Sequence, residues 1–316
     1  MDKNSYVVFG SGFDYCEYMC KDMLSFKNCQ FINKNSGVGY SIYKIFHNRY
    51  ANKILKTNIG YGCLFDKKKL TKIGFNHFVF FDSNPLLYDE KFLQYIRKKI
   101  KNSKITIIFV NTMATRNMRD IQYFKSNSDL IFTIDANDAR LYDFIFLEGI
   151  HSKVDCEVVP EVEFDVTFAG ADKKRGNIVK KARDVCLKNN LTYAFTVVGM
   201  KDAPSDIKTI RIPYEKVLEQ ELKSKCILEV CVGEQNALTL RAIEAIMYDK
   251  FLITNNKNIV NCTYYNEDKM KIFESEQDLE KRLLEIKSKT VRFEYKGEFS
   301  PITLFKKIRE EIQKES

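Results

Sequence analysis

The chain has 316 residues, 45% hydrophobic and 29% charged, a globular composition that excludes a disordered or collagen-like chain. Lys and Arg (51) outnumber Asp and Glu (42), giving a net charge of +9, and at ~150 residues per domain the length suits about two domains. No run approaches the ~18 apolar residues of a membrane span. The apolar run Tyr6-Val7-Val8-Phe9 is too short for a signal-peptide core of ~7–15 residues, so a cytoplasmic protein is expected. The nine cysteines form no C-x-x-C and the three histidines are dispersed. Reduced thiols are expected, with no metal site and no disulfide framework.

Tyr6–Phe9 reads as a strand and Gly10-Ser11-Gly12 as the turn after it. Strands are next expected at His77–Phe81, Ile105–Val110 and Leu130–Ile134. Between the first two of these, Phe92, Leu93, Ile96 and Ile100 recur at helical spacing within Glu90–Lys101. Ile105–Val110 is apolar on both faces, as a central parallel strand is. A link around Gly149–Glu163 interrupts the pattern, which then restarts. Strands are expected at Asp165–Ala169, Tyr193–Val198, Cys226–Val232, Phe251–Thr254 and Ile272-Phe273. Helices are expected at Asn177–Asn189, Glu215–Leu222, Leu238–Tyr248 and Gln277–Ile286. Strand, helix and strand at this spacing give right-handed βαβ units and an open α/β sheet. The last helix, Pro301–Glu315, is amphipathic: Ile302, Leu304, Phe305, Ile308 and Ile312 form one stripe, Ser300 is placed to cap it, and packing on a core is its expected role.

Open α/β sheets bind ligands beyond the carboxyl ends of their strands. Gly10-Ser11-Gly12-Phe13-Asp14 lies at such an end, but lacks the full G-x-G-x-x-G of a dinucleotide site. Asp82 and Asn111 end the next two strands. A carboxylate there can act as a general base, and Asp82-Ser83-Asn84-Pro85 is equally good turn chemistry. In the second half, Gly170-Ala171-Asp172-Lys173-Lys174-Arg175 leaves a strand and opens a helix, and cations beside a helix N-terminus make an anion site. Gly233-Glu234-Gln235-Asn236-Ala237-Leu238-Thr239 repeats that arrangement. There the first-turn N–H groups and the Thr239 hydroxyl suit a diphosphate, and Glu244, further along the helix, suits the two hydroxyls of a ribose.

These residues resemble GT-B glycosyltransferases that build bacterial capsule, exopolysaccharide and lipopolysaccharide O-chains. Most of the likeness lies in Cys226–Asn258, with Q-x-x-L-T-x-R-x-x-E-A followed by K-x-L-I-T-x-N. Asp165–Gly176 and Pro213-Tyr214 add to it, and Phe109–Asn111 and Phe132–Asp138 are similar in placement. The resemblance implies an α/β fold of two Rossmann-like domains facing across a cleft. Residues 1–150 would bind the acceptor, residues 151–300 the nucleotide-sugar, and helix 301–316 would cross back onto the first domain. It implies a hexosyltransferase taking a nucleotide diphosphate-sugar, UDP-sugar foremost, and a glycan or glycolipid acceptor, working in the cytoplasm or at the inner face of the membrane.

Carried over by residue, Glu244 would hold the ribose, and Thr239 with the backbone near Leu238 the diphosphate. Gly170, Lys174 and Arg175 would hold the phosphates from the other side. Pro213 and Tyr214 would lie against the base, and Gln235 or Asn236 would touch the donor sugar. Gly12 and Asn111 fall on the acceptor side. Many retaining members carry Glu eight residues before the ribose Glu. Here that position is Asn236, which leans the reading to inversion, with Asp14, Asp82 and His151 as alternative bases. There is no D-x-D, no cofactor is implied, and cations with a helix terminus can neutralise the leaving diphosphate without a metal.

Lys67-Lys68-Lys69, Lys72 and Arg97-Lys98-Lys99-Ile100-Lys101 suit either a solvated face or an anionic membrane surface, each nearby cation being worth ~1 kcal/mol there. They are not interleaved with aromatics as in a nucleic-acid binder, so no nucleic-acid partner is expected. Rival readings are a nucleotide-sugar epimerase, a polyol-phosphate transferase, and a non-catalytic nucleotide or nucleic-acid binder.

Overall fold

The structure, a computed structural model, describes residues 3–33, 38–47, 60–113, 118–154, 161–233, 236–286 and 290–314. The chain divides into two compact units. Unit 1 is Met1–Ser152 with Phe299–Ser316, and unit 2 is Lys153–Glu298.

In unit 1 the elements run β1 (Ser5–Phe9), α1 (Asp14–Met19), β2 (Cys29–Ile32), α2 (Val38–Phe46), β3 (Asn76–Phe81), α3 (Glu90–Lys99), β4 (Ser103–Phe109), α4 (Met118–Asn127), β5 (Leu130–Thr133), α5 (Ala136–Tyr142) and β6 (Ile145–Phe146). Unit 2 continues with β7 (Phe164–Ala171), α6 (Gly176–Lys188), β8 (Tyr193–Val198), α7 (Tyr214–Leu222), β9 (Ser224–Glu229), α8 (Leu240–Met247), β10 (Phe251–Thr254), β11 (Met270–Ile272) and α9 (Glu276–Glu285). The last helix, α10 (Pro301–Lys314), returns to unit 1.

Each unit holds one parallel sheet, ordered β2-β1-β3-β4-β5-β6 in unit 1 and β11-β10-β9-β7-β8 in unit 2. β1 and β3 are buried at every residue, as strands covered on both faces must be. In both sheets the second strand goes to one side of the first and the third strand to the other. The winding therefore reverses between β1 and β3, and again between β7 and β9. Such switch points open a crevice at the carboxyl ends of the strands.

The stripe on α10 is buried through Leu304, Phe305, Ile308 and Ile312. The Phe305 ring stacks 4.0 Å from Tyr6 and meets Phe26 edge-on at 5.2 Å. Ser300 accepts the Ile302 N–H, as its capping position implied, and its hydroxyl donates to Asp22.

Some boundaries differ from the sequence-based expectation. β7 runs on through Gly170-Ala171, whereas β9 stops at Glu229, short of Val232, and α8 starts at Leu240 after the Leu238-Thr239 approach. Residues 155–160 of the expected link lie outside the described residues.

Candidate functional site

At the unit 2 switch point, the β7–α6 turn is set by its backbone. Lys173 and Lys174 take positive φ (37° and 71°), and the Asp172 carboxylate accepts the Gly176 N–H at 2.9 Å. This turn carries Arg175 across the switch point. Its Nε donates to Val230 O beyond β9 at 2.6 Å and its Nη1 to Ala171 O at the end of β7 at 3.1 Å. Lys174 beside it is exposed.

A second guanidinium arrives from the other side. Arg241, in the first turn of α8, donates through Nε (3.0 Å) and Nη2 (2.6 Å) to Ala169 O, and lies 5.1 Å from the centroid of the Phe168 ring. Gly170 makes room for it, since a Cβ there would come within 2.5 Å of Nη2. Burial and then the neighbouring Arg241 charge lower the pKa of Arg175. Among the described residues no carboxylate forms an ion pair with either arginine. Glu229 and Asp172 act on Arg175 in the opposite direction, and two half-buried guanidinium groups anchored on neutral carbonyls suit an anion.

α8 is locked onto the sheet at its start. The Thr239 side chain caps it, accepting the Ala242 N–H at 3.4 Å, and its hydroxyl donates to Glu229. Thr254 donates to the other oxygen of that carboxylate. Glu229 is fully buried, and a buried carboxylate persists only where it is hydrogen-bonded in this way. Leu238 is buried beside the cap. The Asn236 side chain accepts from Asn258 Nδ2 at 2.9 Å. Gln235 lies outside the described residues.

Farther along α8, Glu244 is 1% exposed and accepts a hydrogen bond from the Tyr214 hydroxyl. Pro213 is the N-cap of α7 and Tyr214 its first residue. The residues expected at the ribose and at the base thus meet directly. Burial, then the Glu244 charge, raise the Tyr214 pKa.

The unit 1 switch point is stitched by asparagines. Asn84 Nδ2 donates to Gly10 O at 2.7 Å. Asn33 Oδ1 accepts the Gly12 N–H at 3.0 Å, while its Nδ2 donates to Phe13 O at 2.8 Å. Gly12 has φ +84° and a Cβ on Gly10 would stand 2.5 Å from Asn33 Oδ1, so both glycines serve the turn. Asp82 is 1% exposed at the end of β3, and Asn111 Nδ2 reaches its Oδ2 at 3.4 Å. Half-buried Asp14 opens α1. Tyr15 lies among them: burial chiefly raises its pKa, and Cys16, Asp82 and Asp14 add to the rise.

His151 does not join this group. It follows β6, is fully buried, and bonds through Nδ1 to Ser152 O at 2.7 Å. Burial pushes its pKa down to about 4. The basic residues stand apart as well. Asn76, at the start of β3, bonds Thr71 O and Lys101 O, so the loops holding Lys72 and Lys101 meet at the amino ends of the strands, opposite the switch-point edge. Among the described residues no group of His, Cys, Asp or Glu is arranged to hold a metal ion, and no helix is long and apolar enough to cross a membrane.

Glu229, Arg241, Asn33, Asn84 and Tyr15 were not anticipated. Glu229 carried a signal, being one charge inside an apolar strand. Arg241 is the R of the Q-x-x-L-T-x-R-x-x-E-A segment, but no role was assigned to it, because a first-turn arginine looks solvated until strand order places β7 beside it.

No family model and no curated protein matches this sequence. Solved structures do match. One is an alpha-glucosyltransferase in complex with UDP and a 13-mer DNA containing a central A:G mismatch, at 13% identity over 90% of each chain with TM-score 0.51. Another is an alpha-glucosyltransferase in complex with UDP-glucose and DNA containing an abasic site, at 11% identity over 90% of each chain with TM-score 0.52. This chain shares their fold. It is the α/β fold with two parallel sheets, of six and five strands, expected for GT-B glycosyltransferases.

Proposed function

We propose that the chain is a glycosyltransferase that takes a hexose from a UDP-sugar held by unit 2. The observation that carries this reading is the pair Arg175 and Arg241, held at the β7/β9 switch point by backbone carbonyls, on the same unit as the Tyr214–Glu244 pair. A diphosphate suits these two guanidinium groups, and Glu244 offers acceptor oxygens to the ribose. Positive charge fixed in advance at the leaving diphosphate lowers the barrier to its departure without reorganisation. For inversion, Asp82 is the base this reading favours, with Asp14 next. Both stand at the unit 1 strand ends, whereas His151 is buried with its imidazole turned to Ser152 O.

The acceptor rests on two different supports. The sequence resemblance favours a lipid-linked surface glycan, with the basic loops against an anionic membrane. The two glucosyltransferases that share the fold hold DNA, which weighs against the expectation of no nucleic-acid partner. DNA therefore stands as the second acceptor class.

The first test is thermal denaturation with UDP, GDP, CMP, CDP and TDP, on the wild type and on Glu244→Ala. UDP should raise the wild-type midpoint, because a ligand bound only to the native state stabilises it by RT ln(1 + [L]/Kd), about 2.7 kcal/mol at a hundredfold excess over Kd. The variant should lose most of that rise. If no nucleotide shifts the wild type, the reading fails. Sugar transfer from UDP-hexose is then assayed with glycolipid and with DNA acceptors. Release of free or isomerised sugar without an acceptor would point to the epimerase reading instead.

A further inference from the structure

We infer that Glu229 is a specificity-determining residue of the donor site. Its buried carboxylate, beside both arginine anchors, disfavours free UDP relative to a UDP-sugar and so lets the product leave. The inference rests on the donor reading above, which makes no use of Glu229.

Glu229 is the last residue of β9 and pairs in register with Thr254, the last residue of β10. Both are fully buried. Residues in register share a face of the sheet, which sets the Thr254 hydroxyl beside the carboxylate. The Thr254 oxygen accepts the Asn256 N–H at 2.9 Å, and the Thr239 oxygen accepts the Ala242 N–H at 3.4 Å. Each hydroxyl has a single proton, and the two give theirs to different oxygens of Glu229. A group that accepts at both oxygens is an ionised carboxylate. Holding the threonines does not require that charge, because an amide accepts from one hydroxyl and donates to the other. Burying it on two neutral donors is costly, so the charge itself calls for a role.

The charge lies among the groups assigned to the diphosphate. Val230, the next residue, holds Arg175 Nε on its carbonyl. Two residues beyond the Thr167–Ile227 pair, β7 and β9 reach Ala169 and Glu229, and Ala169 O holds Arg241. Thr239 ties the carboxylate to the start of α8. Burial and Arg241 lower the Arg175 pKa, and Glu229 acts against them. During transfer the bond from the anomeric carbon to the β-phosphate oxygen breaks, and its electron pair stays on that oxygen. The sugar bonds the acceptor oxygen, whose proton passes to the base. The β-phosphate is left singly substituted, and above its second pKa of ~6 it gains one negative charge. Two guanidinium groups outweigh one carboxylate, so the anion is still held. The carboxylate acts most on the form with the extra charge, which is the product.

The test is calorimetric binding of uridine, UDP and the β-methyl ester of UDP to the wild type, Glu229→Gln and Glu229→Asp at pH ~8. The ester carries the charge of a UDP-sugar without any sugar contact. The wild type should bind UDP and the ester within about threefold of each other. Glu229→Gln should bind both more tightly and raise the preference for UDP over the ester about tenfold, the scale of a screened interaction between close charges. Its affinity for uridine, which carries no phosphate, should stay within about twofold of wild type. Glu229→Asp keeps the charge and should keep the wild-type preference. The proposal is overturned if the wild type prefers UDP to the ester by about tenfold or more, or if Glu229→Gln leaves the preference unchanged. It is also overturned if uridine gains as much as UDP, or if Glu229→Asp behaves as Glu229→Gln. The wild-type comparison decides even where neither variant folds. Should the wild type bind neither UDP nor uridine, the donor reading falls and this inference with it; UDP binding with the wrong charge preference sinks the inference alone.

Discussion

A single carbon atom at Gly170 separates the site from a displaced one. Arg241 Nη2 stands 2.5 Å from where that Cβ would be, with the Phe168 ring at 3.2 Å. Gly170→Ala should push the guanidinium off the Ala169 carbonyl and weaken UDP binding by about three- to tenfold, the scale of one charged hydrogen bond. The ligand-free thermal midpoint should barely move, because an arginine end can swing into solvent. Unchanged affinity would remove Arg241 from the phosphate site. At this scale the sequence was legible where chemistry was concentrated: the Lys174-Arg175 turn and Glu244 stood out because their neighbours pointed to the same ligand. It was illegible where the partner comes from another element. Asn33 is unremarkable until the Gly10–Gly12 turn closes over it.

Elements were read well where burial dictates periodicity. β8 (Tyr193–Val198) and β10 (Phe251–Thr254) match to the residue, and α10 kept its buried stripe. The misreading at β9 has a clear cause. Val230-Cys231-Val232 is apolar like the strand before it, but Cys231 pairs its N–H and C=O with the Asn255 side chain instead of a neighbouring strand. Periodicity cannot tell these two partners apart. β2 was missed because Cys29-Gln30-Phe31-Ile32 is short and carries a buried glutamine, whose amide serves the Asp66 backbone. For α10, Phe305→Ala should cost unit 1 ~3–5 kcal/mol, the usual penalty for removing a buried aromatic ring. Urea denaturation followed by tyrosine fluorescence would measure it, and a loss below about 1 kcal/mol would show that the helix is only loosely attached.

At the scale of the molecule, strand order is what the sequence withholds. An apolar run announces a strand but not its neighbour, so the two switch points could not be located before the sheets were seen. One pH effect belongs here, because His151 sits where the chain leaves unit 1 and its N–H donates to Phe299 O, where the chain returns, at 2.7 Å. Its pKa is about 4 in the fold against 6.5 when exposed. Between those values the unfolded chain binds the extra proton, so stability is whole above pH 6.5 and falls as pH drops toward 4, by roughly 3 kcal/mol in all. His151→Asn, which retains a donor for Ser152 O, should flatten that acid limb in urea titrations. A limb of the same slope in the variant would assign the loss to carboxylates.

The return of α10 has a consequence in time as well as in space. Tyr6 and Phe26 are made early, yet the ring that covers them, Phe305, follows the whole of Lys153–Glu298. At about 5–20 residues per second that delay is on the order of 10 to 30 s. Throughout it, nascent unit 1 presents an uncapped aromatic face to the cell while unit 2, continuous in the chain, can already close. During synthesis the later unit is therefore the first to be finished, and the earlier one carries the exposure to chaperones and to aggregation.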